Sequence, residues 1–126
     1  MRKVIIGILM SFCLFGVYQS LWANHSMHPL KQIAFVKKMI ERQQEPYRTA
    51  YVQLIRYADS IQHVTHHAQN NFAVPGYYVK PEEHRANSLA LQQDAFAAYC
   101  SALAYRLSGK KGYGEKACYF MNAWAT

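Results

Sequence analysis

Aromatic and cationic side chains gather in one stretch of this 126-residue chain. Between residues 67 and 86 lie Phe72, Tyr77, Tyr78, Lys80, His84 and Arg85, set among the turn formers Asn70, Asn71, Pro75, Gly76 and Pro81. Aromatic rings can stack on the apolar face of a sugar, and a cation can pair with a sugar carboxylate. A structureless stretch of about twenty residues is unusual inside a compact domain and is often functional when ordered. The same residues also suit an ordinary surface connection whose Phe and Tyr rings pin it to neighbouring helices. Spacing alone leaves both readings open.

Other groupings carry less. His63, His66 and His67 stand at i, i+3 and i+4, so on a helix His63 and His67 share a face, a spacing that can hold a metal. A third ligand would be needed, and His84 is the only obvious one; polar histidines at a frayed helix end are the better reading. No metal and no cofactor is therefore expected. Glu82 and Glu83 are adjacent acids of the kind that loops usually leave solvated, and glycosidase chemistry needs a defined carboxylate separation that sequence does not show. No Gly-rich phosphate loop and no Ser, His and Asp grouping stands out. Cys100 sits mid-helix among apolar residues, the wrong setting for an activated nucleophile. No catalytic residue is assigned within this chain.

The elements that must position the loop are helical. Ile33, Val36, Met39 and Ile40 mark one face of a helix over 31–44. Glu45-Pro46 breaks it and starts a second, running to about His66 on Tyr47, Ala50, Tyr51, Leu54, Ala58 and Ile61, with Pro46 at the first helical position. The short break makes the two antiparallel neighbours. A third helix, capped by Asn87 or Ser88, runs to about Leu107 with Leu89, Phe96, Tyr99, Leu103 and Leu107 on its seam. Gly109 stops it. Lys110, Lys111 and Gly112 turn the chain, and a fourth helix starts at Tyr113 with Ala117, Phe120, Met121 and Trp124. No strand signal is present, so the fold class is all-α, built of antiparallel helical hairpins.

Residues 1–23 read as a signal peptide: Met1-Arg2-Lys3, then an apolar run from Val4 to Val17, then Ala23 as the small residue before cleavage. The run is short for a membrane span, which needs about 20 residues, although an uncleaved anchor helix is the alternative. Phe12 before Cys13 argues against a lipoprotein site. Removal leaves residues 24–126 as one domain, and the formal charge falls from +7 to +5 because Arg2 and Lys3 leave and no acid does. That balance fits an anionic ligand, and equally a merely basic soluble protein. No Lys/Arg run interleaved with aromatics appears, and export also argues against nucleic acid. Cys100 and Cys118 lie nine residues on either side of Gly109, at matching heights on two helical arms. Packed helix axes are about 8–10 Å apart while a disulfide needs Cα atoms within about 7 Å, so two buried thiols are favoured over a bridge.

The order of these segments resembles a known family. Asp94-Ala95-Phe96-Ala97-Ala98-Tyr99, then Leu103-Ala104-Tyr105-Arg106-Leu107-Ser108-Gly109, then Tyr113-Gly114-Glu115-Lys116-Ala117 and Asn122-Ala123-Trp124-Ala125 is similar to the alginate-lyase-type (α/α)-toroid polysaccharide lyases. His28-Pro29, Ile33, Val36-Lys37, Ile40, Glu45-Pro46-Tyr47, Ala50-Tyr51 and Leu54 are similar to that family's opening helices. The resemblance spans about His28 to Thr126. It implies a periplasmic or secreted lyase that cleaves an acidic uronate polysaccharide such as alginate by β-elimination. In such enzymes an Asn, His or Arg neutralises the substrate carboxylate, a Tyr or His takes the C5 proton, and a Tyr commonly protonates the leaving oxygen.

The family's catalytic motifs lie beyond the segment that this chain matches, and a toroid needs more hairpins. The expectation is therefore an N-terminal portion, an incomplete toroid, lacking the catalytic centre. Asn70-Asn71 is followed by Phe72 and comes too early to be the family's Asn-Asn-His signature. In some members an early loop forms a lid over the cleft and offers an aromatic and a basic residue to the sugar. By that resemblance Tyr77, Tyr78, His84 and Arg85 are the substrate-binding candidates, and acidic polysaccharide is the partner. A hairpin short of its neighbours would expose an apolar flank and self-associate. The alternative is a small exported helical carbohydrate-binding or adaptor protein without enzymatic activity.

Overall fold

The computed structural model describes residues 27–125; the expected leader, residues 1–23, lies outside the described residues. Four helices make up the described fold: α1 (Leu30–Glu41), α2 (Tyr47–Ser60), α3 (Pro81–Ser108) and α4 (Lys111–Trp124). No strand occurs among the described residues, so the described fold is all-helical. The most extensive pair is α3 with α4, and it is antiparallel: Ala104 lies with Tyr113 near the turn, and Ala97 and Ala98 with Phe120 farther from it. Among the described residues no helix is long and apolar enough to cross a membrane.

Local chemistry fixes the boundaries, and it moves several of them from where periodicity puts them. The first helix stops at Glu41 because Gln43 takes a left-handed φ of 56°. The Gln43 N–H then bonds to the Ile40 carbonyl at 3.0 Å, and the Gln44 N–H to the Met39 carbonyl at 3.0 Å. This paired closure satisfies carbonyls that a helix end leaves open. The Glu45 carboxylate accepts from the Thr49 N–H at the start of α2, where negative charge suits the helix dipole. That helix ends at Ser60, not near His66. The Ser60 hydroxyl donates to the Tyr57 carbonyl at 2.7 Å, and the Gln62 amide to the Ala58 carbonyl at 3.0 Å.

The largest shift is at α3. It opens on Pro81 rather than on Asn87 or Ser88. Pro suits the first helical position, where its missing N–H has no partner to lose, and Glu82 and Glu83 follow in the first turn. The helix is 28 residues long, which is about 42 Å. Its end agrees with the sequence reading: Gly109 adopts φ 77° and its N–H bonds to the Tyr105 carbonyl at 2.8 Å. The fourth helix begins at Lys111, two residues before Tyr113.

The seam of α3 is not the one that hydrophobicity selects. Its buried residues are Asp94, Ala97, Ala98, Cys100, Ser101 and Ala104, whereas Leu89, Phe96 and Tyr99 are exposed. Small side chains let the helices approach closely. Ala97 and Ala98 pack with Phe120 of α4 and Ile61 beyond α2. Ala104 meets Ala58 of α2 and Tyr113 of α4. At Gly114 a Cβ would come within 3.2 Å of the Tyr105 ring, so that glycine permits the ring to lie against α4. Among the described residues the cysteines Cys100 and Cys118 are free; Cys100 is buried as expected, but Cys118 is exposed and is not a core thiol.

Candidate functional site

The long α3 overhangs its shorter partner, and residues 61–80 run back along the overhang. Side chains stitch this segment down. The Asn87 amide donates to the Ala73 carbonyl at 2.6 Å. The His84 ring lies 2.7 Å from the Pro75 carbonyl through Nδ1. A carbonyl only accepts, so Nδ1 carries a proton. Lys116 of α4 donates its ammonium to the Val64 carbonyl, and its Nζ also lies 4.3 Å from the centre of the Tyr119 ring.

Three of the four sequence-selected residues come together. Tyr77 stands edge-on to Tyr78, with ring centres 5.5 Å apart, and edge-on to His84 at 5.6 Å. Edge-to-face is the favoured geometry for such rings. Tyr78 is almost fully exposed, at 97%. Arg85 lies one helical step from His84 but reaches Glu82, at 3.6 Å. Lys80 pairs with Glu83 at 2.8 Å. Both pairs are exposed and so weak in water, and each leaves its cation exchangeable for an anionic ligand. The surface is an aromatic row flanked by cations, with His84 and Arg85 on the first turn of α3 and not on the loop.

A second cluster was not selected from sequence. Asp94 is 2% exposed and accepts three hydrogen bonds. The His67 backbone N–H and the His67 ring Nδ1 each lie 2.7 Å from one of its oxygens. The Trp124 indole N–H donates at 2.8 Å. Burial pushes the Asp94 carboxyl up, but the bonds from His67 and Trp124 and the nearby His67 ring more than offset this, holding it below the usual carboxylate value. One buried carboxylate thus ties the loop root to α3 and to the end of α4. Asp94 is the single acid between Glu83 and Glu115, a signal that marks it as unusual without naming its partners.

Trp124 also meets Phe72, with ring centres 4.6 Å apart and planes at 90°. Beside these rings the loop encloses an open groove of about 840 Å³, lined by His66, Gln69, Asn70, Asn71, Phe72 and Trp124. The histidine trio does not gather. Because α2 ends at Ser60, His67 turns to Asp94 and His66 to Tyr119, at 5.2 Å between ring centres. Among the described residues no group of three or more His, Cys, Asp or Glu side chains is arranged to hold a metal ion. Tyr113 donates to Asp59 at 2.6 Å; that bond, with burial, pushes its hydroxyl up to about 12. It is a structural donor and a poor base near neutrality.

A family model described as alginate lyase matches residues 31–126. Neither the curated proteins nor the solved structures contain a match.

Proposed function

The chain belongs to the alginate lyase family, and from that membership we propose that it is an exported polysaccharide-lyase-like protein whose loop and α3 overhang bind an acidic polysaccharide. The observation that carries this is the edge-to-face row of Tyr78, Tyr77 and His84, with the exposed cations of Lys80 and Arg85 in the same short segment. Ring faces and edges offer apolar contact to sugar C–H groups. The planar Arg85 fork matches a uronate carboxylate, which would displace the weaker contact to Glu82. In this reading the two hairpins are early repeats of an (α/α) toroid, and residues 1–23 direct export to the periplasm or beyond.

In β-elimination the carboxylate is neutralised, the C5 proton leaves, and its electron pair forms the C4–C5 double bond. The glycosidic oxygen departs from C4 with a proton from a general acid. The groups that would move these protons are proposed to lie outside residues 27–125. One finding supports that view: the Tyr113 hydroxyl is held by Asp59 and raised to about 12, so it is not poised as a base near neutrality. The chain's share is then substrate capture.

Calorimetric titration of the full chain with a uronate tetrasaccharide tests the reading. Binding should weaken about tenfold, or about 1.4 kcal/mol, in Arg85→Ala and again in Tyr77→Ala. Added salt should reduce the Arg85-dependent part. Ultraviolet absorbance of the unsaturated product should stay flat with this chain alone. Absence of any uronate binding would sink the proposal.

A further inference from the structure

The groove beside Trp124 differs from the aromatic row in its chemistry. We infer that it is a second saccharide subsite, one that grips the hydroxyl groups of a pyranose ring rather than its carboxylate. The inference rests on the polysaccharide reading above and assigns a separate part of the surface to the same ligand.

The walls are apolar and fixed. Trp124 spends its only polar atom on Asp94 beneath the groove, and Phe72 meets its ring at a right angle. Both rings are half-buried, so ordering them on binding costs little side-chain entropy. The rim is polar and open. Gln69, Asn70 and Asn71 are exposed amides, and each carries a donor and an acceptor that together match a pair of adjacent hydroxyls. Asn71 is held at φ 61°, a backbone setting rare for a residue with a side chain, and one that sets the amide at the groove's edge. His66 closes one side of the groove, its ring against Tyr119 at 5.2 Å between centres.

The groove's six named residues include no Lys, Arg, Asp or Glu. A carboxylate would gain nothing there that the Lys80 and Arg85 side does not offer better. Neutral hydroxyls and the C–H face of a sugar fit the amides and the Phe72–Trp124 corner. The groove precedes the aromatic row by only a few residues along the same segment, and in this reading one oligosaccharide engages both, hydroxyls at one and carboxylate at the other.

The test uses two ligands that differ only in charge, a uronate tetrasaccharide and its carboxyl-reduced neutral form, titrated into the full chain. Asn70→Ala and Asn71→Gly remove the amides; glycine keeps the φ that Asn71 needs, and far-ultraviolet circular dichroism checks that both variants fold. The expected result is about tenfold weaker binding of both ligands in the double variant, with Arg85→Ala weakening the uronate form alone. If the amide variants bind both ligands as the parent does while Arg85→Ala loses the uronate, the second subsite is wrong and the first reading stands. If the parent binds neither ligand, both are wrong.

Discussion

Asp94 accepts three hydrogen bonds in a place with almost no water, and that makes it the residue on which the loop depends. Truncation to Ala would strand the Trp124 indole N–H and the His67 backbone N–H. Unsatisfied buried donors cost about 1–3 kcal/mol each, while the half-open His67 ring adds a screened ionic share that counts for less. Asp94→Ala is predicted to lose about 3 kcal/mol in urea unfolding; a loss below about 1 kcal/mol would mean that the staple does not hold. Its acid behaviour follows from the lowered pKa. The folded state binds this proton less tightly than the unfolded chain, so the contribution is full above the ordinary value of about 4 and disappears as pH falls through the lowered one. Asp94→Asn should lack that acid limb. Tyr113 has the opposite sign. Its hydroxyl, raised to about 12, contributes fully below the ordinary value of about 10 and loses its share as pH climbs through the raised one. Tyr113→Phe should cost about 1 kcal/mol at neutral pH and flatten the alkaline limb of the stability curve. Little of this was legible in the sequence. His67 and Trp124 stand 27 and 30 residues from Asp94, and nothing local in an Ala-rich helix announces such partners. Tyr77, Tyr78 and His84 were legible because their types and their clustering are local facts.

The helices themselves were easier to read, and their ends show why some readings drift. Gly109 was recognisable as a stop because glycine alone takes a left-handed φ without cost. Gln43 does the same work at the end of α1 with a residue that gives no such signal, and periodicity therefore ran past it to Gln44. Pro81 looked like a breaker and proved to be a beginning, since proline ends one helix and opens another with the same ring. The two left-handed caps make a paired prediction. Gln43→Gly removes a strain of roughly 1 kcal/mol, less a part for the Gln43 amide bond to the Ile40 carbonyl, and should raise the thermal midpoint. Gly109→Ala should lower it by a comparable free energy; no side chain crowds the site, because a Cβ there meets nothing within 4 Å, so the loss would report backbone strain alone. A Gln43→Gly variant less stable than the parent would contradict the assigned cap.

At the scale of the whole molecule, the four helices followed from apolar period and the pairing of α3 with α4 from their short connection, but which side of α3 faces inward did not. Hydrophobic ranking puts Leu89, Phe96 and Tyr99 inside. The close approach of α3 to α4 instead needs Ala97, Ala98, Ser101 and Ala104 between them, and the large side chains are left on the outer surface. Leu89, Phe96 and Met121 are 52%, 56% and 63% exposed, and exposed apolar side chains favour association where they adjoin. Between α1, α2 and the end of α3 a further apolar groove of about 450 Å³ opens beside Val36, Tyr51 and Leu103. A surface of this kind should drive association. The full chain is predicted to sediment as more than a monomer at micromolar concentration and to brighten a dye that reports apolar surface. Leu89→Lys with Met121→Lys should shift it towards monomer and dim the dye. Neither side chain is part of the buried core, so each change should alter unfolding free energy by less than about 0.5 kcal/mol. A parent chain that stays monomeric and leaves the dye dark would show that this flank is tolerated by water as it stands.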